Sequence, residues 1–111
     1  MKIDLKETLA KLPLPATQKW PEGVWDTEVF ERGGLSLSIF APRNHDYQAA
    51  HKQDELYVIV AGSGEFQLES DLVAFSRGDV LFVEAGKAHR FVKFSDDFVA
   101  WVIFWRPSRG N

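Results

Sequence analysis

Two stretches decide the fold: HKQDELYVIVAGSG, residues 51–64, and GDVLFVEAGKAHRF, residues 78–91. Each sets β-rich runs beside glycine turns. In the first, Leu56 to Val60 is apolar and ends at Gly62-Ser63-Gly64, through which Glu65 to Leu68 pairs back. In the second, Gly78-Asp79 turns the chain between Leu72 to Phe75 and Val80 to Val83, and His89 opens a strand reaching Phe94. Working outward, Leu35, Leu37 and Ile39 alternate with Ser36, Ser38 and Phe40, the period of a strand. Thr27 to Glu31 precedes it across Gly33-Gly34, and Phe98 to Trp105 is the last strand. Many short strands at this spacing indicate an all-β sandwich or barrel. Ahead of them, Asp4 to Lys11 is expected to form a short helix, with Asp4 as N-cap and Glu7 three residues on. Pro13 and Pro15 end it, and an extended arm runs to Trp25. The expected organisation is one domain over residues 1–111, with helix and arm in 1–25 and the barrel in 26–105.

The chain of 111 residues is 45% hydrophobic and 26% charged, ordinary for a globular domain. A net charge of -3 asks for no nucleic-acid partner. The longest apolar run, Phe98 to Trp105, is far short of the roughly 20 residues of a membrane helix. The first residues lack the apolar stretch of a secretory signal, so a cytoplasmic protein is expected. With no cysteine there is neither a disulfide framework nor a thiolate site. Nine Phe, four Trp and two Tyr suit a small barrel, whose interior needs large rigid side chains. The last strand is apolar on both faces, where an outer strand of a monomer would alternate. Either the N-terminal arm covers it or a second subunit does; a homodimer is the expectation.

Chemistry concentrates at His51, Glu55 and His89. If the three residues between His51 and Glu55 form a hairpin loop, the two side chains face each other across the strands, with Cβ atoms about 5 Å apart. An imidazole and a carboxylate so placed can share a metal ion, and His89, opening its strand after the turn EAGKA, is the candidate third ligand. A hydrogen-bonded polar cluster is the competing reading.

These segments resemble the two motifs of the cupin superfamily, and the pattern D-x-Q-x-x-H-x-x-D-E-x-Y, present as Asp46, Gln48, His51, Asp54, Glu55 and Tyr57, resembles a subgroup of small single-domain cupins of mostly unassigned function. His51, Glu55 and Gly62 match the first motif; Gly78, Gly86 and His89 match the second. The resemblance implies a double-stranded β-helix, or jelly-roll barrel, with a divalent transition ion inside it. Ligands of nitrogen and oxygen without sulfur suit Fe, Mn, Ni, Co or Zn. Three positions depart from the family pattern. Glu84 replaces a turn proline, Lys93 replaces the terminal asparagine, and Ala49 stands where the first histidine ligand belongs. Two histidines and one glutamate remain. That set resembles the facial triad of non-haem iron oxygenases, and equally a weakened or lost site. Strict alternation turns Gln48 away from His51, but a bulge at Ala49-Ala50 would let its amide take the vacant position.

Around these residues, Tyr57 shares the parity of Glu55 and faces inward, as a hydrogen-bond donor behind the ligands, a substrate contact or plain wall packing. Phe91 shares the parity of His89. With Trp101 of the last strand it would line an aromatic pocket for a small organic ligand, or simply fill the barrel. His45, in the loop PRNHD, reads as a surface residue. The expected function is a metal-dependent enzyme of dioxygenase or isomerase type acting on a small molecule, with a non-catalytic binding barrel or a structural dimer as the alternative.

Overall fold

In the computed structural model, residues 1–46 and 50–105 are described. Gln48 and Ala49, and with them the proposed amide ligand and the vacant histidine position, lie outside the described residues. The described residues are all-β apart from one short helix. Helix α1 spans Leu5–Leu9, shorter than the expected Asp4 to Lys11 because the segment enters Pro13 within a turn of its end. Asp4 caps it, its carboxylate accepting from the Glu7 amide at 2.9 Å.

Eight strands follow: β1 Asp26–Arg32, β2 Leu35–Phe40, β3 Asp54–Ala61, β4 Ser63–Leu68, β5 Asp71–Ser76, β6 Val80–Val83, β7 His89–Phe94 and β8 Val99–Trp105. They form two antiparallel sheets, one ordered β1-β2-β8-β3-β6 and the other β5-β4-β7. The sheets face each other across an aromatic core. Phe40, Tyr57, Phe66, Phe75, Phe91 and Phe98 are all buried there, with Ile59, Val83, Ala100 and Val102 between them. The rings meet edge-on or tilted, as Phe91 does with Phe66 at 4.7 Å, Phe98 at 4.8 Å and Tyr57 at 4.9 Å between centroids. Gly62 turns β3 into β4 with φ 88, and a Cβ there would come within 2.6 Å of the Phe98 backbone, so the position requires glycine twice over.

The N-terminal arm is not simply extended. It doubles back so that Leu14 and Val24 exchange backbone hydrogen bonds of 2.8 and 3.0 Å. Leu5, Leu9, Leu12 and Leu14 then pack with Ile39, Val99 and Trp101 on the outside of the larger sheet. The arm therefore covers one end of that outer face and leaves the other. Leu37, Ile103, Leu56 and Phe82 stand in one row across β2, β8, β3 and β6. At its open edge Val80 and Phe82 are 56% and 51% exposed.

Candidate metal centre

Glu55 and Tyr57 lie two apart on β3, so both side chains enter the barrel. Glu55 is fully buried, opposite Val83 of β6 and Phe104 of β8. His89 starts β7 opposite Leu68 of β4 and brings its ring to Glu55 from the other sheet. His51 arrives differently from the expectation. Strand β3 begins at Asp54, and no described strand pairs His51 across a hairpin with Glu55. His51 instead sits in the loop ahead of β3, where its carbonyl accepts from the Gly86 amide at 2.7 Å. That bond joins it to the turn before His89. Glu84, in place of the family proline, still allows this turn, with the Lys87 amide donating to the Glu84 carbonyl at 3.1 Å. The Asp54 carboxylate holds the same turn by accepting from the Ala85 amide at 2.8 Å.

The result is a three-residue cluster. One donor atom from each of His51, Glu55 and His89 lies within 4.8 Å of the other two. His89 Nε2 is 2.7 Å from Glu55 Oε1, and His51 Nε2 is 4.0 Å from Glu55 Oε2. The second distance is too long for a hydrogen bond. Both atoms, His51 Nε2 and Glu55 Oε2, are buried without a hydrogen-bond partner. Buried polar atoms ordinarily have one, and leaving such a group unmet costs about 1–3 kcal/mol. A cation between them would satisfy both.

His89 gives the same indication. Its Nδ1 lies 3.0 Å from the Lys87 carbonyl oxygen, which can only accept, so Nδ1 carries a hydrogen. In the neutral ring Nε2 is then a bare lone pair, facing a carboxylate oxygen at 2.7 Å. Two acceptors cannot sit so close without a proton or a metal ion between them. In the metal-free chain the proton is retained. Burial of the ring lowers the His89 pKa, but the hydrogen bonds to Glu55 and the Lys87 carbonyl, with the charges of Glu55 and Asp46, outweigh it and hold the pKa above the ordinary 6.5. An Nδ1–H fixed on a carbonyl with Nε2 aimed inward is the arrangement of a ligating histidine. The donor set therefore fits a divalent ion of borderline softness.

Tyr57 is fully buried, its hydroxyl 3.1 Å from His89 Nε2 and 3.3 Å from Glu55 Oε1. The aromatic pocket expected from Phe91 and Trp101 does not form. Phe91 is 1% exposed and wedged among Phe40, Phe66, Phe75 and Phe98, so it fills the interior. Trp101 is on the wrong face: Ala100 and Val102 point into the core, so their neighbour points outward and packs beside Ile39 and the arm. The inward aromatic of β8 is Phe104, whose ring centroid stands 5.0 Å from that of His51. His45 is exposed on its loop, as expected.

Two further carboxylates lie near the cluster, Asp46, which opens the subgroup pattern, and Asp26, which no motif contains. Asp46 is buried and accepts from the Phe91 amide at 2.9 Å. Asp26 opens β1 opposite the core residue Phe40, on the inward face. Burial, then the charges of Asp46 and Glu55, push its carboxyl up to about 6.

Fold and site together define a double-stranded β-helix barrel carrying a His–Glu–His group at its interior. Residues 36–105 match the family model described as the cupin domain, and the chain belongs to that family. An uncharacterised protein of Streptomyces coelicolor is 37% identical over 75 residues, which cover 66% of this chain and 71% of that protein. Among solved structures, KdgF from a Halomonas species superposes with a TM-score of 0.64 at 20% identity, over 76% of this chain and 79% of its own. A protein from Ralstonia eutropha described as a putative mannose-6-phosphate isomerase gives 0.61 at 24% identity, over 74% and 83% of the two chains. A cupin 2 conserved barrel domain protein from Salinispora arenicola gives 0.60 at 20% identity, over 72% and 73%. These likenesses establish the barrel. No helix among the described residues is long and apolar enough to cross a membrane.

Proposed function

We propose that this cupin binds one divalent transition-metal ion through His51, Glu55 and His89 and acts on a small organic molecule, by dioxygenase- or isomerase-type chemistry. The observation that carries the reading is the pair of buried atoms without partners, His51 Nε2 and Glu55 Oε2, beside a His89 whose inward nitrogen needs a positive charge. An ion there would supply Lewis-acid polarisation of a bound oxygen atom. The protein's part is to orient and exclude. The aromatic core beneath the cluster keeps water from that side, and the half-exposed His51 marks the side from which a ligand enters. Metal analysis of the purified chain tests this. About one ion per chain is expected, lost in His51→Ala and in His89→Ala. Metal content unaffected by both substitutions would remove the reading.

A structural role in a homodimer is favoured by a separate observation, the apolar row Leu37–Ile103–Leu56–Phe82, partly buried along its length and exposed at Phe82. The row is without charge, so it offers an oppositely charged partner nothing, and a second copy presents the same apolar surface. Light scattering is expected to give the mass of two chains, falling to one in Phe82→Lys. A wild-type chain that stays monomeric at high concentration refutes the self-association.

A further inference from the structure

The chain has three histidines, and His45 is exposed on a loop away from the cluster, so only two imidazoles can serve the centre. With one carboxylate the set holds three residues. Tyr57 supplies the next oxygen. Its hydroxyl, His89 Nε2 and Glu55 Oε1 form a triangle with edges of 3.1, 3.3 and 2.7 Å. Metal–ligand bonds of about 2.0–2.2 Å place neighbouring donor atoms about 2.8–3.6 Å apart. Two edges fall in that range and the 2.7 Å edge lies just below it, so the triangle has about the dimensions of one face of a coordination polyhedron; His51 Nε2 is 4.0 Å from the other carboxylate oxygen, Glu55 Oε2.

From this geometry we infer that Tyr57 is itself a ligand of the bound ion, completing a His–Glu–His–Tyr set. The inference rests on the metal-binding reading above. On coordination the phenol proton leaves to solvent and the oxygen lone pair enters the bond. No redox change is involved. The rigidity needed for this is present. The Tyr57 ring is fully buried, packed edge-on against Phe91 at 4.9 Å and tilted against Phe66 at 5.8 Å, so the hydroxyl is held at the cluster. A wall residue needs no such aim; here the oxygen meets two of the three other donor residues.

The test loads the wild-type chain and Tyr57→Phe with ferrous ion without oxygen, oxidises the iron with ferricyanide and removes the excess. Wild type is expected to develop a visible phenolate-to-iron(III) charge-transfer band, with tyrosinate modes enhanced when Raman scattering is excited in that band. Tyr57→Phe is expected to lack both and to bind ferrous ion at least about tenfold more weakly, a loss that removal of a group merely hydrogen-bonded to a ligand can already produce. Stoichiometric iron of equal affinity in both proteins, with no band in either, overturns the role of Tyr57 and leaves the metal centre standing. Failure of wild type to take up iron overturns both. The chain has a second tyrosine, Tyr47, so the Raman measurement is repeated on Tyr47→Phe; a band that persists there assigns it to Tyr57 even where Tyr57→Phe folds poorly, and a band lost there overturns the assignment.

Discussion

The affinity of the His51–Glu55–His89 centre for a divalent ion is expected to fall at least about tenfold for every unit that pH drops below the folded-state pKa of His89, and more steeply where the Tyr57 proton is released as well. The ion and the Nε2 proton compete for one lone pair. The bond from Nδ1 to the Lys87 carbonyl leaves no other inward nitrogen, and Glu55 Oε1 at 2.7 Å stabilises whichever positive charge is present. Binding must therefore release at least one proton, and each released proton contributes a slope of one decade per pH unit. The metal-free protein should show the opposite trend in stability. Because the His89 pKa is raised in the folded state, its protonation stabilises the fold fully below the ordinary 6.5, and that contribution is lost as pH rises through the folded value. Metal-free protein should thus melt at lower temperature as pH is raised above 6.5, while excess metal should protect it increasingly over the same range. Calorimetric titration in buffers of differing ionisation enthalpy measures the released protons directly. Binding without proton release, or affinity flat across the range where His89 titrates, would contradict an Nε2 that faces Glu55 and holds the ion.

How much of this could be read from the sequence depends on whether the deciding contact is local. Strands β2, β6 and β7 fall on the expected residues because glycine turns and clear alternation bracket them. The Asp4 cap is legible for the same reason, lying three residues from the amide it binds. The hairpin between His51 and Glu55 fails because Glu55 pairs with β6 and β8, strands that lie far along the chain, and spacing within HKQDE carries no information about them. An inward Trp101 fails because β8 is apolar on both faces. Hydrophobicity alone does not say which side is inward; only the fixed partners Ala100 and Val102 do. The nearness of Asp26 and Asp46 to Glu55 is invisible in the sequence, since three separate segments supply them. Composition points to the interior aromatic mass but not to its density. Tyr57, Phe66 and Phe91 close the space that an aromatic-lined pocket would have needed.

Asp26→Asn is expected to make the metal-free protein more stable at neutral pH by about 2–3 kcal/mol. Asp26 opens β1 across from Phe40, half-buried, and shares the interior with Asp46 and Glu55. Burial first, and then those two charges, raise its pKa from 3.8 to about 6. The sign follows from which state holds the proton more tightly. Here it is the folded state, so the penalty is absent below 3.8, grows between 3.8 and about 6, and is complete above that. A shift from 3.8 to about 6, at about 1.4 kcal/mol per unit, amounts to about 3 kcal/mol, trimmed because Asp26 is not fully buried. The amide is isosteric, so the gain comes from removing charge alone. A carboxylate held at this cost is better explained by function than by folding. With Asp46 and Glu55 it deepens the negative potential inside the barrel, which favours a divalent cation over an empty cluster. The same substitution should accordingly weaken metal affinity severalfold while leaving the His51, Glu55 and His89 ligands in place. Urea unfolding at neutral pH and again below 3.8, with and without metal, separates the two effects. A variant no more stable than wild type at neutral pH, or equally favoured under both conditions, would show that the Asp26 charge is not under strain and does not serve the centre.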